Sequence, residues 1–137
     1  EIASCLVGSE MCIRDRPADL CGKWFGKIFA QTPDIDVLYL QDIGGRCLVD
    51  FDVDLPNWFA EIKKACDANG VIFGVDIESF KECWCPRITM RTKPWIELEE
   101  QLRVAGMFTD HITNFSWATF KPGTDTYEGY KKYLERK

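Results

Sequence analysis

Three short stretches of the chain are apolar and rich in β-branched or aromatic residues: "IDVLYLQD" (35–42), "VIFGVDIES" (71–79) and "HITNFSWATF" (111–120). Each is bounded by turn formers, the pattern of strands buried in a sheet. Around them the apolar period lengthens to that of helices. In "LPNWFAEIKKACDANG", Trp58, Ile62, Ala65 and Cys66 share one face, Asp54 can cap the start, Pro56 suits the first turn, and Asn69-Gly70 supplies the stop. "TKPWIELEEQLRVAG" repeats the formula, with Thr92 as cap, a stripe of Trp95, Leu98, Leu102 and Ala105, and Gly106 at the end. "TDTYEGYKKYLERK" predicts a last helix with Asp125 and Glu128 at capping-box spacing and Tyr127, Tyr130 and Leu134 as its stripe. A further helix, "ADLCGKWFGKIFAQ", precedes the first strand.

The predicted order is therefore α-β-α-β-α-β-α, an α/β class. Strands alternating with helices at about 35–40 residues per unit argue for crossover connections and a parallel sheet. Two architectures fit: an open doubly wound sheet, or part of a (β/α)₈ TIM barrel, which needs about 250 residues in full. Three strands alone leave an edge and an uncovered face, which favours the truncated barrel, about three βα units preceded by a helix. Gly44-Gly45 is not a G-x-G-x-x-G and no Walker sequence is present, so dinucleotide and P-loop versions have no support.

Composition changes this picture little. The chain has 137 residues, net charge −5, and ordinary apolar content. An acidic balance argues against a nucleic-acid partner, and no apolar run approaches the roughly 18 residues of a membrane span, so a soluble domain is expected. The seven cysteines are odd in number and match no zinc spacing; the one close pair, Cys83 and Cys85 in "CWC", reads as two loop thiols rather than a metal or redox site. His111 is the only histidine. No metal and no cofactor is expected.

Residues 1–16 follow neither period and lack the layout of a signal peptide. Leu6 to Asp15, "LVGSEMCIRD", is what the codons CTC GTG GGC TCG GAG ATG TGT ATA AGA GAC spell. That resembles the adapter of transposon-based sequencing libraries, and the flanking residues fit its continuation. Residues 1–16 are read as a non-biological leader, a translated adapter expected to be disordered, and are set aside. Residues 17–137 carry net charge −4 and five cysteines and are expected to be the C-terminal part of a barrel whose N-terminal half is missing.

In parallel α/β folds ligands meet the C-terminal ends of the strands. Those ends read "LQDIGG", "VDIESF" and "FSWATF". Side chains alternate along a strand, so Gly74, Asp76 and Glu78 share one face, and Val75 and Ile77 the other. An apolar face suits packing on helices, which turns Asp76 and Glu78 into the barrel, with Glu78 nearest the rim. A carboxylate there can serve as nucleophile or general acid/base in glycoside cleavage. It can equally be a strand-end acid that caps a loop or pairs with Arg87 or Arg91, and the pattern leaves both open. Gln41 and Asp42 bring hydrogen-bonding groups to the same mouth, unless Asp42 is turn chemistry before Gly44-Gly45. Trp117 can stack on a sugar or fill the core. The stretch Lys81 to Arg91, with Trp84, reads as a loop that walls the cleft or lies on the surface.

"DIDVLYLQDIGG", "WFAEIKKACDANGVIFGVDIESF", "DHITNFSWATF" and "YEGYKKYL" together resemble the C-terminal half of a glycosidase-like TIM-barrel family, catalogued as a domain of unknown function (4434 type) in bacterial proteins. The resemblance spans residues 17–137, and its specificity lies in the series of short motifs. It implies that the three strands are the sixth, seventh and eighth of a barrel. Glu78 then takes the seventh-strand position of a retaining glycosidase nucleophile, Gln41 and Asp42 line the mouth, and Trp117 floors the sugar subsite. Thr119-Phe120 departs from the family's His-Tyr pair. The acid/base carboxylate belongs to the fourth strand, outside this chain.

The expectation is a fragment of a glycoside hydrolase acting on a carbohydrate by a retaining, two-carboxylate mechanism. Glu78 is its catalytic residue, Gln41, Asp42, Asp76 and Trp117 bind substrate, and the fragment alone is inactive. The alternative is a non-catalytic carbohydrate-binding barrel. A sugar isomerase or aldolase is weaker, since such barrels need several metal ligands or a buried lysine.

Overall fold

The computed structural model describes residues 17–42, 53–83, 89–115 and 120–136. Along these the order is α1 (Ala18–Gln31), β1 (Val37–Gln41), α2 (Asp54–Asn69), β2 (Ile72–Glu78), β3 (Phe80–Cys83), β4 (Thr89–Thr92), α3 (Trp95–Gly106), β5 (Ile112–Phe115) and α4 (Asp125–Glu135). β1, β2 and β5 form a parallel sheet in the order β1-β2-β5, so β2 is central. The predicted α/β alternation is therefore present, with four helices and a parallel sheet among the described residues.

The register carries the strand ends to one level. Val37 pairs with Ile72 and Gln41 with Asp76, and Val75 to Glu78 pair with Ile112 to Phe115. The amide of Asp42 donates to the carbonyl of Asp76 at 3.1 Å, extending the ladder one residue past β1. Alternation does the rest. Leu38 and Leu40, with Phe73, Val75 and Ile77, are buried in one core with Phe25 and Phe29 of α1, Phe59, Ile62 and Cys66 of α2, and Leu98, Leu102 and Ala105 of α3. On the opposite face Val37, Tyr39 and Ile72 are 39–47% exposed. Among the described residues, then, helices cover one side of the sheet, and the other presents apolar side chains. Gly74 belongs to that open face: a Cβ there would lie 2.6 Å from the Tyr39 ring and 3.1 Å from the His111 carbonyl, so the missing side chain lets the ring lie across the sheet.

Helix ends follow local chemistry with some changes of partner. α2 stops where expected, with Gly70 in the left-handed region at φ 71° and its amide bonded to the carbonyls of Cys66 and Asp67. The expected caps shift. Asp54 opens α2 without a side-chain cap bond, and Asn57 donates back to the Val53 carbonyl at 2.8 Å. Thr92 cannot cap α3 because it is held in a strand opposite Phe80. The first amide of α3, Trp95, is instead met at 3.0 Å by the carboxylate of Asp125. Asp125 is thus committed to another helix, and Thr124 caps α4 by accepting from the Tyr127 amide.

Two further differences concern patterning. Lys81 to Arg91, read as a loop, contains the antiparallel pair β3 and β4, from Phe80↔Thr92 to Cys83↔Thr89. This short two-stranded element lies outside the parallel sheet. Leu134 is exposed rather than part of the α4 stripe. The aromatic residues of that helix meet one another and α3 instead: Tyr130 stacks on Tyr133, and Tyr133 lies 6.2 Å from Trp95.

The α1–α2 contact is close enough to test with one atom. A Cβ on Gly22 would lie 2.7 Å from the Glu61 backbone carbonyl, which cannot move without shifting α2. Gly26, one turn later on α1, has only the Ala65 Cβ at 4.0 Å. Gly22→Ala is expected to destabilise the fold by about 1–3 kcal/mol. Gly26→Ala should be neutral or stabilising by up to about 1 kcal/mol through helix propensity. Thermal melts of the two variants check this; equal shifts would contradict the packing.

Candidate functional site

The C-terminal ends of β1 and β2 hold an unusual concentration of buried polarity. Asp42, Glu78, Ser79, Lys93, Gln101 and Thr126 are all buried. Residues of these types reach the interior only when their hydrogen-bonding groups are met. Here they are met largely by one another.

The chain of bonds begins at α4. The Thr126 hydroxyl donates to the backbone carbonyl of Lys93, whose own amide donates to the Ser79 carbonyl at 3.0 Å. This fixes Lys93 between β4 and α3. Its ammonium donates to the Oε1 of Gln101 on α3. Gln101 in turn donates through Nε2 to the Asp42 Oδ2 at 2.6 Å. The other carboxylate oxygen of Asp42 accepts the Glu78 amide at 3.1 Å. Finally the Gln41 amide donates to the Glu78 Oε1 at 2.7 Å. The orientation of Gln101 is chemically forced, because an ammonium can only donate and a carboxylate can only accept.

Three charged groups share this interior. Glu78 is 1% exposed, and Asp42 and Lys93 are equally hidden. Burial pushes the Lys93 ammonium down from its ordinary 10.5 to about 8, although the carboxylates of Asp42, Glu78 and Glu97 pull it upward. Lys81, which also pushes it down, is itself paired with Glu97 at 2.6 Å. Asp76 behaves differently. It is half-buried on the open face of the sheet, where burial raises its carboxyl above the ordinary value and a 2.8 Å bond from the Thr113 hydroxyl partly offsets this.

Of the residues singled out in the sequence, Gln41, Asp42 and Glu78 come together in one hydrogen-bonded group. Asp76 lies beside them in register with Gln41, facing Thr113. Trp117, Trp84, Arg87 and Cys85 lie outside the described residues. Phe120 is buried against Tyr130, with ring centroids 5.2 Å apart, so the position where the resembling family has a tyrosine contributes here to packing.

Lys93 and Gln101 are the members that the sequence reading missed. Gln101 stands beside Leu98 and Leu102 on the α3 stripe, and a polar residue in an apolar stripe is a legible signal. Lys93, in "TKPW", carries no such signal.

Among the described residues no group of three or more His, Cys, Asp or Glu could hold a metal. Cys21 and Cys66 are buried free thiols, and burial pushes Cys66 up to about 12, which leaves it unreactive at neutral pH. No described helix is long and apolar enough to cross a membrane. On β5, the buried side-chain amide of Asn114 has no hydrogen-bond partner among the described residues.

No protein-family model matches the chain, and no curated protein sequence matches it. A solved structure does: one described as "a putative alpha-L-fucosidase from Bacteroides thetaiotaomicron VPI-5482" superposes with a TM-score of 0.62 over 80% of this chain at 22% identity. The match covers 34% of that protein, so the chain spans about a third of its length. At this identity the likeness shows a shared α/β fold.

The lysine gives the cluster a pH signature. Between about 8 and 10.5 the unfolded chain keeps the Lys93 proton while the folded chain has released it, so stability from this group rises with pH across that window. Cys66 acts in the opposite sense above 9.0, where the unfolded thiol ionises first. Comparing the natural chain with Lys93→Met at each pH cancels the Cys66 contribution. Urea denaturation should show the stability difference shifting in favour of the natural chain as pH rises from 8 to 10.5. A flat difference would mean that Lys93 titrates in the folded chain as in water.

Proposed function

We propose that the chain is the C-terminal part of a (β/α)₈ barrel glycoside hydrolase and that Glu78 is its nucleophile. The observation that carries this reading is the setting of Glu78: a carboxylate at the C-terminal end of the central parallel strand, hydrogen-bonded by Gln41 and tied through its amide to Asp42. The similarity to a protein described as a fucosidase agrees with it, as does that protein's greater length. The open apolar face formed by Val37, Tyr39 and Ile72 is what a barrel interior would present once the remaining strands are in place.

In this mechanism the Glu78 carboxylate attacks the anomeric carbon and displaces the leaving oxygen, which takes a proton from a carboxylic acid on a strand outside this chain. Water then attacks the glycosyl-enzyme, gives its proton to that same acid, and frees Glu78. Retention requires the two carboxyl groups about 5–5.5 Å apart. Gln41 holds the attacking carboxylate in one rotamer. Asp76 and Thr113, on the open face, and Trp117 supply contacts to the sugar. Asp42 supports the site, because its two oxygens are taken by Glu78 and Gln101.

A buried lysine also invites the aldolase reading, in which a neutral amine forms a Schiff base. The Lys93 nitrogen, however, is fully buried and engaged with Gln101 rather than open to a substrate carbonyl, which argues against that role.

The chain alone should turn over no glycoside, since the partner acid is elsewhere. In a complete barrel containing this segment, Glu78→Gln is expected to lower kcat by at least roughly 10²-fold while leaving sugar binding intact. Hydrolysis of aryl glycosides, with binding followed by calorimetry, checks both halves. An unchanged rate would make Glu78 structural, and a natural complete barrel that binds sugar without hydrolysing any glycoside would favour a carbohydrate-binding barrel.

A further inference from the structure

We infer that Gln41, Asp76 and Thr113 form the floor of the ligand site, a row that meets the hydroxyl donors of an uncharged sugar, and that Asp76 selects such a sugar over an acidic one. As a statement about a sugar this deepens, and rests on, the reading above; as a statement about a row of acceptors around a carboxylate it does not.

The sheet register makes the row. Gln41 pairs with Asp76 across β1 and β2, and Asp76 pairs with Thr113 across β2 and β5. Three strands therefore contribute one polar side chain each at a single level. All three lie on the open face, where Gln41 and Asp76 are half-buried and Thr113 is exposed. Below this level the face is apolar: Tyr39 lays its ring across Gly74, and Val37 pairs with Ile72. In a barrel such lower levels belong to an interior that is filled with side chains. The row stands where that apolar filling ends.

Hydrogen bonding decides what the row can still hold. Gln41 spends one N–H on the Glu78 Oε1 at 2.7 Å. The Thr113 hydroxyl, which has a single hydrogen, donates to the Asp76 Oδ1 at 2.8 Å. Among the described residues nothing donates to the Gln41 Oε1 or the Asp76 Oδ2. Gln41 keeps its second N–H, so the row offers one donor against the two open oxygens and the lone pairs of Thr113. Acceptors are in excess, and the formal charge at the centre of the row is negative.

A ligand that fits this floor must bring donors. The hydroxyl-bearing edge of a sugar does so. A carboxylate, sulfate or phosphate on the same edge brings acceptors alone and sets a like charge beside Asp76, in a half-buried place where repulsion is screened less than in bulk water. Asp76 is therefore the residue that discriminates. Thr113 is a positioning residue: its bond to Oδ1 turns Oδ2 toward the ligand.

The test is titration of the full chain, followed by NMR, with the methyl glycosides of glucose and glucuronic acid and of galactose and galacturonic acid. Each pair differs in whether C6 carries a hydroxyl group or a carboxylate. In at least one pair the neutral member should shift the Asp76 and Thr113 signals saturably, with its acidic partner binding at least about tenfold more weakly. Asp76→Asn, close to isosteric and uncharged, should shrink that ratio to within about threefold. Thr113→Val should weaken the neutral sugar and Thr113→Ser restore it, with the preference against the acid kept. If Asp76→Asn does not fold, the ratio in the natural chain should fall as salt is added. Equal binding of both members in every pair, a ratio unmoved by Asp76→Asn or by salt, or no saturable shift with any of the four sugars would overturn the proposal. These readouts do not use turnover. Selection against the acids together with an inactive complete barrel would defeat the glycosidase reading alone. A complete barrel that hydrolyses neutral and acidic glycosides alike would defeat only the selectivity given to Asp76.

Discussion

Everything at the C-terminal end of the sheet depends on burying one ammonium and two carboxylates together. Each of these groups alone would be costly to remove from water, and their attraction offsets that cost only when the remaining donors and acceptors are also met. The chain meets this condition with side chains drawn from four separate elements. Gln41 and Asp42 end β1, Glu78 ends β2, Gln101 comes from the middle of α3, and Thr126 from the first turn of α4. Lys93, between β4 and α3, joins them. The polar group therefore couples α3 and α4 to the strand ends beside the apolar core, and it specifies register. A slip of β1 by one residue would turn Asp42 to the opposite face and break the chain of bonds at its centre.

The same strands carry a second asymmetry. Odd positions of β2 from Phe73 to Ile77 are buried under α1, α2 and α3, while Ile72 and Asp76 on the even positions keep contact with solvent. Gly74 leaves room for the Tyr39 ring on that face. Glu78 belongs to the even series by alternation but is buried, because Gln41 reaches across from β1 and the chain beyond Glu78 continues directly into β3. The transition from open face to buried cluster thus occurs between Asp76 and Glu78, within two residues of one strand. Two carboxylates that alternation treats as equivalent have different environments: one half-exposed and bonded to a hydroxyl, the other buried within a charged network.

That distinction marks where the sequence stops being legible. The parallel sheet, the helix-facing residues Val75 and Ile77, and the glycine stop at Gly70 all follow from periodicity and local chemistry, which act over a few residues. The grouping of Gln41 with Glu78 follows as well, since both lie at strand ends that a parallel register brings together. What pattern could not supply is long-range. Asp125 has every local reason to cap its own helix, yet bonds to the Trp95 amide thirty residues away, and Thr124 takes over the cap. The β3–β4 pair depends on Phe80 meeting Thr92, which neither residue announces. Lys93 is the clearest case. Its burial results from the Ser79, Gln101 and Thr126 contacts converging on it, and no window around "TKPW" contains them.

The position of Lys93 also bears on how a site of this kind can be assembled from crossover units. A carboxylate buried at a strand end is costly to ionise unless donors or a cation are placed nearby. The strand that bears the carboxylate cannot easily provide it, because alternation would turn a neighbouring lysine into the helix layer or leave it on the same exposed face. Here the segment after β2 turns back as the β3–β4 pair and delivers Lys93 to the start of α3, beside the strand end it has just left. The Lys93 amide closes the excursion on the Ser79 carbonyl, one residue beyond Glu78. The hairpin is therefore more than a surface decoration between a strand and its helix. It brings Glu78 and Lys93 into one buried cluster while keeping them on different pieces of backbone.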